Sequence, residues 1–117
     1  MAITSEIIGK LGSGAEMEEY PVSVPEGQSD TLLRSVTVPA GKRYLVAAEG
    51  HCPKVGSSAS YKPTLYIGGA QSMPVGKDIQ FGVMSIVESS VEVRFDTYST
   101  SSTTGSTFEG TVYVLEL

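Results

Sequence analysis

The 117-residue chain has few of the residues on which catalytic, metal-binding and disulfide-bonded proteins depend. It contains one cysteine, Cys52, one histidine, His51, and no tryptophan. A single cysteine excludes an intramolecular disulfide and a zinc site built from several thiolates. Adjacent residues of an extended chain point in opposite directions, so His51 and Cys52 are not expected to form a catalytic pair. Because nucleophile-elbow, phosphate-loop and zinc-helix motifs are also missing, we expect no enzyme, no cofactor and no bound metal.

Basic charge and long apolar runs are equally scarce. Eight lysines and arginines stand against 13 aspartates and glutamates, which gives a net charge of −5. Binding to a phosphate backbone needs a basic surface, so nucleic acid is not an expected partner. No apolar run approaches the roughly 20 residues that span a bilayer, and the N-terminus lacks the apolar core of a secretory signal. The sequence therefore predicts synthesis in the cytoplasm and no membrane insertion.

Short β-type segments separated by turn residues make up most of the chain. Among them, residues 91–96 alternate cleanly, which places Val91, Val93 and Phe95 on one face. About seven or eight such segments follow one another, and no crossover helix lies between them to support a parallel sheet. The sequence predicts an all-β fold, an antiparallel β-sandwich of the jelly-roll type.

The strongest local signal is a predicted hairpin in the first half of the chain. Residues 33–38 and 43–49 both have strand-like composition, and Pro39, Ala40, Gly41 and Lys42 separate them. Counted from Val38, this segment has proline second and glycine fourth, which is typical of a type I turn. We therefore expect the two strands to pair with each other.

The first residues differ from the β-type remainder, because their aliphatic side chains have helical spacing. These side chains fall on one helical face: Ile3, Ile7, Ile8 and Leu11. Two helical turns are unstable alone in water, which leaves two interpretations: a frayed chain end, or a helical or extended arm that docks on a neighbouring subunit. The predicted division is an N-terminal arm and hinge over residues 1–19 and a β-sandwich domain over residues 20–117.

Two polar loops are candidates for ligand or receptor contact. Residues 50–62 include Tyr61, and residues 97–107 are rich in serine and threonine beside Tyr98. Each loop is either a solvated connection or a contact surface, since aromatic rings with small polar neighbours bind sugars and protein surfaces well. The candidate contact residues are Tyr61, Tyr98, Ser99 and Thr100.

Four segments resemble small tail-associated structural proteins of tailed bacteriophages. They are MAITSEIIGKLGSG, VTVPAGKRYLVAAEG, TLYIGG and SSTTGSTFEGTVYVLEL, 52 of the 117 residues, and the resemblance extends over most of the chain. One departure is Thr107, which stands where the family pattern has serine before the closing Phe108. These motifs carry no catalytic residue, so the resemblance implies a structural role.

The resemblance implies a minor tail or tail-tip protein of the virion. Such a protein would form a homo-oligomer, expected to be a trimer, with its N-terminal arm inserted into a neighbour, and would contact other virion proteins and aid host adsorption through a surface glycan. A capsid decoration protein that stabilises the head shell is the first alternative, since it also needs a small acidic β-domain with an arm. A monomeric carbohydrate-binding module is the second alternative and needs no apolar stripe.

Overall fold

Eight β-strands form the described part of the molecule. The computed structural model describes residues 17–25, 30–55, 63–72, 78–96 and 107–117. The strands are β1 (Glu18–Val24), β2 (Asp30–Val36), β3 (Tyr44–His51), β4 (Thr64–Ile67), β5 (Ala70–Gln71), β6 (Phe81–Val87), β7 (Val91–Asp96) and β8 (Phe108–Glu116). No helix is present in these ranges, and hence none that could cross a membrane. The predicted all-β class is confirmed.

The strands form two antiparallel four-stranded sheets. Sheet A has the order β1-β8-β3-β6 and sheet B the order β2-β7-β4-β5. The first strand pairs with the last, the second with the seventh, the third with the sixth, and the fourth with the fifth. Two further pairings, β3 with β8 and β4 with β7, complete the sheets. Strands from the first half of the chain thus pair with strands from the second half in reverse order. This nested pairing, divided between two sheets, is the strand order of a jelly roll.

The predicted hairpin between residues 33–38 and 43–49 is wrong. Strand β2 pairs with β7 in sheet B, whereas β3 pairs with β6 and β8 in sheet A. The connection carries a turn, closed by a 3.1 Å hydrogen bond from the Lys42 amide to the Pro39 carbonyl. Gly41 is its third residue and has a φ of 81°. Proline therefore comes first rather than second, and the positive φ is that of a type II turn rather than type I. This turn carries the chain from one sheet to the other.

The core lies between the sheets and confirms the alternation predicted for β7. Val93 and Phe95 are fully buried. The Phe108 ring of sheet A stacks on Phe95 of sheet B at 4.8 Å between centroids. Gly50 and Gly110 face each other across β3 and β8, and a Cβ on either would lie 2.7 Å from the Phe108 ring. Glycine at both positions makes room for the ring at the centre of the sandwich.

The N-terminal arm with its stripe of Ile3, Ile7, Ile8 and Leu11 lies outside the described residues. Strand β1 begins at Glu18, so residues 18 and 19 of the predicted arm-and-hinge segment belong to the sandwich.

Candidate functional site

Every site residue predicted from the sequence lies outside the described part of the chain. This holds for the arm residues Ile3, Ile7, Ile8 and Leu11 and for the contact residues Tyr61, Tyr98, Ser99 and Thr100. These assignments stay predictions. The described residues nevertheless contain a surface that the sequence reasoning did not single out.

His51 and Cys52 point to different environments, as expected for neighbours on an extended chain. Cys52 is fully buried in the core cluster. Burial raises the pKa of its thiol to about 12, and the negative charge of Asp78 acts in the same direction. His51 is partly exposed, with Nε2 3.9 Å from the carboxylate of Glu109. A thiol that stays protonated and a histidine directed elsewhere give no activated nucleophile.

The outer face of sheet B is polar. At its centre Arg94 lies between two carboxylates, 2.8 Å from Asp30 and 3.0 Å from Glu92. These contacts, the hydrogen bond to Asp30 foremost, raise the pKa of Arg94 above its ordinary value. Leu32 and Tyr66 pair with Arg94 from either side, and Leu32 is 44% exposed. This face has the composition expected of a solvated sheet surface.

The outer face of sheet A is apolar at one end and polar at the other. Register groups its outward-facing side chains into rows that cross the strands. Two rows form what we call the apolar patch: Leu115, Leu45 and Ile86 in the first row, and Tyr113, Ala47 and Met84 in the second. The carboxylate of Glu19, which pairs with Tyr113, bounds the second row at the β1 edge. Met17, which immediately precedes β1, extends the first row at the sheet edge. The following rows carry Glu49 with Thr111, and then His51 with Glu109, so polarity increases along the strands.

Two leucines of the apolar patch are buried although they point away from sheet B. Leu45 is 4% exposed and Leu115 is 1% exposed. They pair directly across β3 and β8, and neither belongs to the core cluster between the sheets. Their neighbours in the sequence, Val46 and Val114, do belong to that cluster. Strands β3 and β8 therefore bury apolar side chains on both faces.

An open groove of about 430 Å³ crosses the apolar patch, with Met17 and Met84 among its lining residues. Met84 is 53% exposed. At the polar border of the groove, the Tyr113 hydroxyl donates a 2.7 Å hydrogen bond to the Glu49 carboxylate. This hydrogen bond is the main reason that the pKa of Tyr113 is raised above 10.0, because it requires the protonated phenol. The groove thus combines apolar walls with one fixed polar contact.

A second cluster of side chains connects the edge strands β1 and β2. The Arg34 guanidinium lies 3.3 Å from the centroid of the Tyr20 ring, and the Tyr20 hydroxyl donates a hydrogen bond to Glu18. That hydrogen bond raises the pKa of Tyr20. The three side chains link the two sheets at their edges through a cation–π contact. Because Tyr20 contacts both Arg34 and Glu18, the cluster connects the edge of sheet A to the edge of sheet B.

The described surface is suited to contact with apolar groups. In the part of the chain that the structure describes, no group of three or more histidine, cysteine, aspartate or glutamate side chains is arranged to hold a metal ion. The polar groups considered above pair with one another on the surface. An apolar groove with a hydrogen-bonded border is suited to an apolar polypeptide segment.

A signal for the apolar patch is present in the sequence, although the alternating-strand interpretation missed it. Residues 44–48 read YLVAA and residues 112–115 read VYVL, without a polar residue at every second position. A continuous apolar run is typical of a strand that is buried on both faces. The lack of alternation in these two neighbouring strands marks the patch.

No family model matches the chain, and neither a curated protein nor a solved structure is significantly similar to it. Its function is therefore inferred from its own geometry and from the motifs in its sequence.

Proposed function

We propose that the chain is a non-enzymatic structural protein of a bacteriophage virion. It is made in the host cytoplasm and acts in the particle as a minor tail or tail-tip component. It assembles as a symmetric homo-oligomer, a trimer, and contacts other virion proteins. The observation that carries this proposal is the jelly-roll strand order, an architecture used by viral capsid domains as well as by lectins.

The positions of the resembling segments in the fold add support. The segment VTVPAGKRYLVAAEG runs from the end of β2 through the turn into β3, TLYIGG covers β4 and its following turn, and the closing segment contains β8. Strands β3 and β8 are neighbours at the centre of sheet A. The segments that resemble tail proteins thus coincide with strands that build the sandwich and, in β3 and β8, carry the apolar patch, as expected for a structural protein.

Quantitative mass spectrometry of purified particles from a phage that encodes the chain tests this function. A few copies per particle, recovered with isolated tails, support the tail assignment. Many copies recovered with tail-less heads would instead identify a capsid decoration protein. Absence from washed particles would contradict a virion role altogether. Light scattering of the purified protein tests the trimer separately, and a monomer that binds glycans would indicate a carbohydrate-binding module.

Host adsorption is tested through the two loop tyrosines. If Tyr61 and Tyr98 stack on a surface glycan, particles carrying Tyr61→Ala with Tyr98→Ala adsorb more slowly, because aromatic contact area is lost. The matched control, Tyr61→Phe with Tyr98→Phe, keeps both rings and should retain most adsorption. Unchanged adsorption of the alanine variant, with normal incorporation, would contradict this role.

A further inference from the structure

We propose that the apolar patch is the docking surface of this chain's own N-terminal segment, residues 1–16. The stripe of Ile3, Ile7, Ile8 and Leu11 packs on the first row of sheet A. This inference goes beyond the proposed function, because it concerns the free chain and holds with or without a virion. It assigns the stripe to the same molecule rather than to a neighbouring subunit.

The chain enters sheet A beside the patch. β1 is an edge strand, and Met17 precedes it and lines the groove together with Leu45 and Ala47. Residues 1–16 therefore join the sandwich at the edge of its apolar row. Residues 12–16 read GSGAE, and their glycines permit a reversal of chain direction. Five residues reach about 17 Å at most, which is enough to turn back over the sheet.

The dimensions of the segment and the patch agree. Strands lie about 4.8 Å apart, so a row that crosses four strands is about 14 Å long. If the stripe is helical, residues 3–11 would be about 13 Å long at 1.5 Å per residue. The stripe presents four aliphatic side chains along that length, and the first row presents Met17, Leu115, Leu45 and Ile86. A segment of this length covers the row from one edge of the sheet to the other.

Burial and tethering both favour the chain's own segment as the occupant. The middle of the first row is the most buried part of the patch, since Leu115 and Leu45 are 1% and 4% exposed, whereas Met84 in the second row is 53% exposed. This is the distribution expected when a cover crosses the first row. A short covalent tether gives its segment an effective concentration of about millimolar at the patch, above that of a second copy in dilute solution.

Cross-linking of paired cysteine variants of the full chain tests the inference. Ile7→Cys is combined with Met84→Cys, and a parallel pair uses Ile8→Cys, to cover both orientations of the stripe. The matched control combines each with Leu32→Cys, which is similarly exposed on the outer face of sheet B. A short bismaleimide is added near neutral pH and quenched before denaturation. The native Cys52 stays unlabelled because it is buried and its thiol pKa is raised to about 12.

The expected product is an internally cross-linked monomer for at least one Met84→Cys pair. Its yield should exceed that of the Leu32→Cys controls by about tenfold and be independent of protein concentration. A cross-linked dimer would overturn the inference and identify a second copy as the occupant. Equal low yields from patch and control pairs would overturn it as well, leaving the patch to another partner. These results are independent of the copy number in particles, so failure here is distinguishable from failure of the virion role.

Thiol accessibility gives a second measurement. With residues 2–16 deleted, Leu45→Cys, at a first-row position that is 4% exposed in the full chain, should react with a maleimide about tenfold faster than in the full chain, because the tethered cover is gone. Leu32→Cys should react at the same rate in both lengths. Equal rates for Leu45→Cys in a folded deletion variant would contradict the inference. If the deletion variant does not fold, the cross-linking experiment still decides.

Discussion

The two outer faces of this sandwich differ in a way that their shared architecture does not require. On sheet B, Arg94 pairs with Asp30 and Glu92 in contact with solvent. On sheet A, Leu45 and Leu115 are nearly inaccessible although they face away from the other layer. A two-layer sandwich needs only its inner faces to be apolar. The additional apolar row on sheet A therefore shows that β3 and β8 are built to be covered on both sides.

The largest expected effect separates the two faces directly. Leu115→Ala should reduce the free energy of unfolding by about 2–5 kcal/mol, as for other buried leucines. Leu32→Ala, on the half-exposed site of sheet B, should change it by less than about 1 kcal/mol. Urea denaturation monitored by circular dichroism measures both. Similar losses for the two variants would show that the faces do not differ in their energetic contribution.

The pH dependence of stability at alkaline pH tests the burial of Cys52 in the core between the two sheets. The folded state binds the Cys52 proton more tightly, with a pKa of about 12 against an ordinary 9.0. This contribution is complete below pH 9 and is lost as the pH rises towards 12, with a slope of at most about 1.4 kcal/mol per pH unit. The difference between wild type and Cys52→Ala, followed by chemical denaturation from pH 8 upwards, isolates it from the tyrosines and lysines. A pH-independent difference would contradict burial of the thiol.

Removing the central charge of sheet B should have a small effect. Arg94→Met breaks the contacts with Asp30 and Glu92, but exposed ion pairs contribute little and are screened by salt. We expect a decrease in stability near the resolution of denaturation experiments, smaller still at high salt. Arg94→Lys is the control that retains the charge and loses the planar fork. A loss comparable to that of Leu115→Ala would mean that the polar face also has a structural role.

The smallest effect is expected at the polar border of the apolar patch. Glu49→Gln should lower the pKa of Tyr113 towards 10.0, because the carboxylate that favours the protonated phenol is gone. The stabilisation from this pair is present below the ordinary tyrosine pKa and is lost as the pH rises through the raised value. NMR titration of the Tyr113 ring measures the shift. An unchanged pKa in Glu49→Gln would exclude the hydrogen bond as its cause.

Local signals in the sequence predict strands well and their partners poorly. The alternation in residues 91–96 identifies β7 and its buried face, and Gly68 and Gly69 correctly mark the end of β4. The turn at residues 39–42 is also real, yet it joins strands of different sheets. A turn sequence specifies a local reversal, whereas the sheet that the next strand joins depends on residues far along the chain. The sequence alone therefore predicts the sandwich, but it does not predict that this turn joins strands of different sheets.

The candidate site was less predictable than the fold. The arm is predicted from the helical spacing of its aliphatic side chains and the contact residues from the composition of their loops, and all of these residues fall outside the described part of the chain. The apolar patch depends on register: Leu45 and Leu115 meet only because β3 and β8, some 60 positions apart in the chain, lie side by side. The apolar runs in the two strands indicate burial on both faces, but only their pairing shows that they form one surface.

The pairing of the first strand with the last has a consequence for biosynthesis. β8 lies between β1 and β3, so sheet A has no continuous centre until residues 108–116 have left the ribosome. Before that point, the nascent β1 and β3 expose unpaired edges and apolar side chains, which are prone to aggregate. We therefore expect sheet A to fold only after β8 has been synthesised. Fusion partners or stalled nascent chains that withhold β8 should keep the whole layer unfolded, however complete the rest of the chain is.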